Sequence, residues 1–156
     1  INARLETILE KPAFSGLVKN NRCVVLADGY FEWTRQHRQP YYITHTENKI
    51  LPLAGLWTTW KSSNTNTLYT YTVITTSPLN SINFIHNRMP VILDRESMDK
   101  WTTCNRFTIS ECINDISLLE PDLKFHPVSK IVNFPKNNSI QNTRGRKLNQ
   151  IPIFSH

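Results

Sequence analysis

Three polar features stand where a packed strand domain has no need of them. Glu32 lies between Phe31 and Trp33 in Gly29-Tyr-Phe-Glu-Trp-Thr34. Aromatic neighbours desolvate a carboxylate, a condition that equips it for proton transfer. Read alone, Glu32 fits an edge-strand carboxylate facing water better. His86 lies in Phe84-Ile-His-Asn-Arg-Met-Pro90, where a helical pattern gives way to an extended one. Ends of elements commonly carry function, although a single histidine is more often a hydrogen-bonded structural residue. Asn2 and Arg4 place an amide and a guanidinium two residues apart. On a strand those side chains share a face; a frayed terminus is the plainer alternative.

Other chemistries are excluded by the same inspection. The five histidines form no HExxH or HxxxH pattern, so no zinc site is expected. Three cysteines, Cys23, Cys104 and Cys112, give an odd count and no CxxC, so no disulfide framework is expected and a reducing, intracellular compartment fits best. No run approaches the roughly 18 apolar residues of a membrane span, and no secretory leader is visible. The 156 residues suit one domain, with mean hydropathy −0.39 and 19% charged residues. The chain opens on Ile1 rather than Met, which reads as processing or as a piece of something longer.

Charge is unevenly placed. Eighteen Lys and Arg against 12 Asp and Glu give a net +6. No acid follows Asp122, while Lys124, Lys130, Lys136, Arg144, Arg146 and Lys147 do, so the excess lies entirely in that last stretch. Such a segment favours an anionic partner, nucleic acid foremost; a solvated tail without a specific partner fits the charge equally well.

The elements that must position these residues are mostly strands. Cys23–Ala27 is an apolar run closed by Asp28-Gly29, a turn signal. Tyr30–Trp33, Tyr41–Thr44, Leu51–Trp57, Leu68–Thr76 and Met89–Leu93 read as further strands. Ser77-Pro78 predicts a helix over Pro78–Ile85. Asp94 caps a second helix through Trp101, with Glu96 in its first turn, and Ser110–Leu119 is a third. Residues 133–149 are Asn-rich, basic and expected to be irregular. The sum is a strand-rich α+β domain.

The segments Asn2-Ala-Arg-Leu-Glu-Thr7, Arg22–Trp33, Pro40-Tyr-Tyr-Ile43, Ala54-Gly-Leu-Trp57, Tyr71–Thr75, Ile85–Leu93 and His126-Pro-Val-Ser129 occur in this order. Together they resemble the SOS-response-associated peptidase (SRAP) domain. The resemblance implies a mixed, mostly antiparallel and barrel-like β core with peripheral helices, spanning residues 1–138, and a basic tail over 139–156. It implies a monomer that binds single-stranded DNA, abasic-site DNA and single-strand–duplex junctions, without metal, organic cofactor or membrane, in a nucleus if the source is eukaryotic. In the family, an N-terminal cysteine condenses with the aldehyde of an abasic site to a thiazolidine. An amine and a thiol on adjacent carbons close on one aldehyde carbon, which neither does alone.

Carried onto this chain, Asn2 orients the deoxyribose and the cysteine amine, Glu32 is the acid/base group, and His86 promotes ring opening. Arg4 and Arg88 clamp phosphates, Trp33 stacks on a base at the junction, and Thr75 contacts the DNA backbone. The chain departs from the family in lacking its Met-Cys-Gly-Arg opening, and Pro12 stands close to where relatives often place Arg. Cys23 cannot replace the nucleophile: it has no free α-amine and reads as a buried residue of an apolar strand. Whether the chain is an enzyme stays open, with a non-covalent nucleic-acid-binding module and a peptidase limited to its own N-terminus as alternatives.

Overall fold

A computed structural model describes residues 2–61, 67–134, 136 and 139–145. Its centre is a long hairpin of β-branched and aromatic residues, Leu51–Lys61 against Thr67–Thr76, paired from Gly55↔Val73 to Lys61↔Thr67. In chain order the strands are β1 (Ala3–Arg4), β2 (Arg22–Ala27), β3 (Tyr30–Trp33), β4 (Pro40–His45), β5 (Leu51–Lys61), β6 (Thr67–Thr76), β7 (Met89–Pro90) and β8 (Leu123–Pro127). One sheet runs β1-β6-β5-β2, with β7 also on β6; a second runs β3-β4-β8. Among the described residues only β1 is parallel to its neighbour.

The alternation of β5 builds two cores. Ala54 and Leu56 face one side, with Ala3, Ile8, Val18, Ile74, Trp101 and Ile116. Leu51 and Leu53 face the other, with Ile43, Ile82, Ile85, Met89 and Ile92. Successive side chains of a strand point to opposite faces, so the first sheet is buried on both. Helices α1 (Pro12–Ser15), α2 (Leu17–Asn20), α3 (Arg95–Thr102) and α4 (Ile109–Ile116) cover the first side. The β3-β4-β8 sheet covers the other. Between β2 and β3 the chain crosses from one sheet to the other in two residues, Asp28-Gly29; a Cβ on Gly29 would stand 2.6 Å from the Ile43 carbonyl oxygen, so only glycine fits that crossing.

The α+β composition and the largely antiparallel sheets match expectation, and the strand positions agree within a few residues. Four points differ. The two sheets stay separate, so among the described residues no closed barrel forms. Residues 80–85 are successive turns, not a helix: Ile82 and Ile85 donate to carbonyls only three residues back. Asn80 and Asn83, whose amides compete for backbone groups, lie within them. The expected strand Met89–Leu93 is paired only over Met89–Pro90, followed by a single bridge, Ile92 to Leu53. Strand β8 was not anticipated, because Pro121, Pro127 and its Lys and His obscure the alternation. Of the basic tail, Ile140–Thr143 forms a 3-10 turn tied to β8 by a 2.7 Å bond between His126 Nε2 and the Thr143 carbonyl; residues 146–156 lie outside the described residues.

Both eight-residue helices are started by capping boxes, Asp94 with Ser97 and Thr108 with Glu111. Hydrogen bonds from the Ser97 hydroxyl and backbone N–H hold the Asp94 carboxyl below its ordinary value of 3.8. Asp94→Ala should therefore cost about 1 kcal/mol. A depressed carboxyl contributes stability that is fully present above its unfolded pKa and is lost as pH falls through the lower folded value. Urea titrations of both proteins should thus differ at pH 7 and converge once the pH has fallen below both the unfolded value and the lower folded one; a gap that persists in acid would rule out the charged cap.

Candidate functional site

A cleft of about 400 Å³ opens between the two sheets. Its polar lining is Asn2, Arg4, Glu32, Thr75, His86 and Arg88, over a floor that includes Tyr30, Leu53, Val73 and Met89. Six of the seven residues singled out in the sequence thus meet in one place although they span positions 2 to 88. The pairing explains how. Parallel β1 lies on β6 with Ala3 opposite Ile74 and Arg4 opposite Thr75, and β7 brackets β6 from its other edge. Strand β3, on the facing sheet, supplies Glu32.

Glu32 and His86 face each other, with 3.7 Å between Oε2 and Nδ1. Both are about a quarter to a third exposed. The other carboxylate oxygen accepts the N–H of Trp33 at 3.1 Å, which fixes the carboxylate plane. His86 Nδ1 lies 3.3 Å from the Arg88 N–H and 3.4 Å from the Arg88 carbonyl oxygen. Either tautomer of the ring therefore has a partner at Nδ1, so a proton can leave or arrive there without stranding the nitrogen. Beneath them the Tyr30 hydroxyl is buried and makes no hydrogen bond among the described residues. Burial, aided by the nearby Glu32 charge, pushes its pKa well up, so it stays a neutral phenol.

The two arginines differ. Arg4 is exposed, and its side chain makes no hydrogen bond or ion pair among the described residues. Arg88 is held by Glu6, Nη1 to Oε1 at 2.9 Å and Nη2 to Oε2 at 2.8 Å, and by the Thr75 carbonyl and hydroxyl. The Thr75 hydroxyl is buried and donates to the Ala3 carbonyl at 3.1 Å, so it stands behind Arg88 rather than on the open surface. Trp33 lies outside the cleft lining; its indole N–H donates to Asn133 at 2.7 Å, in the 3-10 turn Lys130–Asn133. Glu6 and Tyr30 were not singled out in the sequence. Glu6 was visible only as a second charge two residues after Arg4; Tyr30 looked like any strand aromatic.

Cys23 is half-buried rather than buried, beside Trp57 and Tyr71 on the first sheet, and desolvation raises its pKa. It is not part of the cleft lining. A larger hollow of about 570 Å³ lies between Leu5, Leu9 and the α4 residues Ile113 and Ile116. Its rim carries Glu6, Glu10 and Glu120 and no basic residue, which disfavours an anionic ligand. Among the described residues no cluster of three His, Cys, Asp or Glu could hold a metal, and no helix is long and apolar enough to cross a membrane.

The family model for SOS response associated peptidase (SRAP) matches residues 1–135. The abasic site processing protein HMCES of Xenopus tropicalis is 38% identical over 160 residues, 88% of this chain and 48% of its own length. The abasic site processing protein YoqW of Bacillus subtilis is 39% identical over 146 residues, 89% of this chain and 64% of its own. A crystal structure of a protein from Bacteroides thetaiotaomicron superposes with TM-score 0.81 at 28% identity, covering 94% of this chain and 66% of that one. The chain thus spans about half the length of the frog relative and about two thirds of the bacterial ones.

Proposed function

The chain belongs to the SOS response associated peptidase (SRAP) family, and on that premise we propose that its cleft receives an abasic site in single-stranded DNA. The observation that carries this reading is the convergence of a facing acid/base pair, Glu32 and His86, with Asn2 and two arginines in one cleft. The names of the frog and Bacillus relatives support the same lesion. Phosphates flanking the lesion meet Arg4 and Arg88, and the sugar enters between them. His86 takes a proton from the hemiacetal hydroxyl, the C1′–O4′ bond breaks, and O4′ takes up a proton as the ring opens and the aldehyde is freed. Where an N-terminal cysteine precedes this chain, its amine adds to the aldehyde and loses water to give an imine. Its thiolate then adds to the imine carbon and the nitrogen regains a proton, closing the thiazolidine; Glu32 and His86 exchange the protons. Asn2 holds the amine and a sugar hydroxyl. For a eukaryotic source we propose a nuclear location.

A general peptidase fits less well. No Ser or Cys lines the cleft among the described residues, and its one aliphatic hydroxyl, on Thr75, is already engaged with Ala3 and Arg88. Non-covalent DNA binding remains the second reading, favoured by the exposed Arg4 and by the basic residues Lys124 and Lys130 anchored to the edge of the β3-β4-β8 sheet.

The test is fluorescence anisotropy with labelled single-stranded DNA, a single-strand–duplex junction and blunt duplex across a salt series. The first two should bind more tightly than blunt duplex, with affinity falling steeply as salt rises. Arg4→Ala should weaken binding and reduce the salt slope by about one unit, leaving thermal unfolding unchanged. Equal, salt-independent binding to all three DNAs would remove this reading.

A further inference from the structure

Arg88 has almost no hydrogen-bonding capacity left for a ligand. A guanidinium carries five N–H donors. Nε donates to the Thr75 hydroxyl; Nη2 donates to Glu6 Oε2 and to the Thr75 carbonyl; Nη1 donates to Glu6 Oε1. One N–H on Nη1 remains. The side chain is only 19% exposed, against 46% for Glu6. Arg88 therefore cannot grip a phosphate with a two-pronged fork while these bonds last. It presents one N–H and a charge, in a fixed direction. Arg4, with no such partners, is its opposite: an adaptable cation.

The element that fixes Arg88 comes from the other end of the site. Glu6 belongs to the 3-10 turn Leu5–Thr7 that directly continues β1. The chain of contacts runs from the Ala3 carbonyl to the Thr75 hydroxyl, to the Arg88 guanidinium, and to the Glu6 carboxylate. It closes a ring through β1, β6 and the segment before β7. That segment also holds His86, whose Nδ1 lies between the N–H and carbonyl of Arg88. An arginine loses considerable rotamer entropy on being fixed. Here that loss has already occurred before any ligand arrives.

We propose that Glu6 is a positioning residue for the DNA site: its carboxylate holds Arg88 so that a single Nη1–H faces a phosphate beside the lesion. The assignment rests on the DNA-binding reading above. It makes Glu6 a contributor to anion binding despite its own negative charge. A bare carboxylate near the cleft would repel phosphate; one spent on Arg88 gives up most of that repulsion and supplies order instead. The hydrogen bonds from Arg88 also hold the Glu6 carboxyl below its usual range, against the opposing effect of partial burial.

A double-mutant cycle tests it, with anisotropy on single-stranded DNA carrying a tetrahydrofuran abasic analogue. The proteins are wild type, Glu6→Gln, Arg88→Ala and the double variant, each first compared by thermal unfolding. Glu6→Gln should weaken binding roughly 5- to 10-fold and lower the salt slope by about one unit, as Arg88→Ala does. In the Arg88→Ala background, Glu6→Gln should change affinity less than 2-fold, because nothing is left to position. Glu6→Asp, which keeps the charge but is one methylene too short to span both nitrogens, should behave like Glu6→Gln and reads the effect if the glutamine variant folds poorly. Tighter or unchanged binding by Glu6→Gln, or wild-type behaviour of Glu6→Asp, would overturn the proposal. So would losses that multiply in the double variant. If Arg88→Ala binds as wild type while Arg4→Ala is weakened, Glu6 and Arg88 leave the DNA site but the DNA-binding reading stands. If wild type itself shows no salt-dependent binding, both fall.

Discussion

Glu32→Gln and His86→Ala should each slow covalent capture of abasic single-stranded DNA by about 10²- to 10⁴-fold, the range for a general acid or base placed on a reacting proton. The reaction needs a protein that presents an N-terminal cysteine to the cleft, so the substitutions are to be made behind a segment beginning Met-Cys-Gly-Arg. The two side chains are 3.7 Å apart and both partly exposed, so each reaches solvent and a bound sugar. They should fail at different steps. Without His86 the closed hemiacetal persists, and a substrate already held as a free aldehyde should restore much of the rate. Without Glu32 the free aldehyde should restore little, because proton exchange during imine formation and ring closure is still impaired. The measurement is a denaturing gel that follows the heat-stable conjugate over time, on both substrates. Gln and Ala leave the backbone bond from the Trp33 N–H and the cleft walls in place or nearly so, and unfolding curves should not move. Unchanged capture rates in both variants would reduce Glu32 and His86 to structural residues. A heat-stable conjugate formed by the 156-residue chain itself would point to a different nucleophile; its internal cysteines lack an adjacent amine, and a lysine gives only a hydrolysable imine.

Much of this site is legible from sequence because its residues fall in the short segments that carry the family resemblance, several of which also read as strands. Residues 30–33 read as extended from their aromatics alone, and the strand forms over those same residues. Leu68–Thr76 reads as the strongest strand and is indeed the one on which β1, β5 and β7 all pair. What sequence could not supply is the pairing itself. That Arg4 lies opposite Thr75, and that this brings Glu6 to Arg88, depends on a parallel contact between residues some seventy positions apart. No local pattern encodes such a contact. The misread segment, 78–85, failed for a local reason. Ser-Pro is a sound helix start, yet the following Asn80, Ser81 and Asn83 favour turns, and Ile82 and Ile85 are buried at a spacing of three. That spacing suits successive turns as well as it suits a helix. Trp33 shows a different limit. An aromatic beside the Glu32 carboxylate looks poised to stack, but its ring N–H is committed to Asn133, a hundred residues on.

Trp101→Ala should destabilise the fold by about 3–5 kcal/mol, the usual loss for a large aromatic in a core. Trp101 is fully buried on α3, among Leu56, Val18 and Ile116 of the helix-side core. Its indole N–H donates to the Cys23 carbonyl at 3.0 Å and approaches the Gly55 carbonyl at 3.3 Å, which ties the helix layer to β2 and β5. The Arg22 guanidinium lies 5.4 Å from the ring centroid. Arg22 is itself buried, with the sulfurs of Cys104 and Cys112 and the Phe107 carbonyl as its hydrogen-bond acceptors. Among the described residues no carboxylate pairs with it, so the ring face is part of what stabilises that charge. Losing the ring thus removes apolar contacts, a hydrogen bond and a cation–π contact together. For a domain of this size, 3–5 kcal/mol lowers Tm by on the order of 10 °C or more. Trp101→Phe should lose less, because it keeps most of the volume and the ring face and gives up only the N–H. The DNA cleft lies on the opposite side of the first sheet, lined by Leu53 and Val73 rather than Ala54 and Ile74. The folded fraction of Trp101→Ala should therefore bind abasic-analogue DNA with wild-type affinity at low temperature. Thermal unfolding and anisotropy on the same samples separate the two effects. A Tm within about 2 °C of wild type would mean that the helix layer contributes little to the cooperative unit. Weakened binding by the folded fraction would instead show that the helix layer and the cleft are coupled across the sheet.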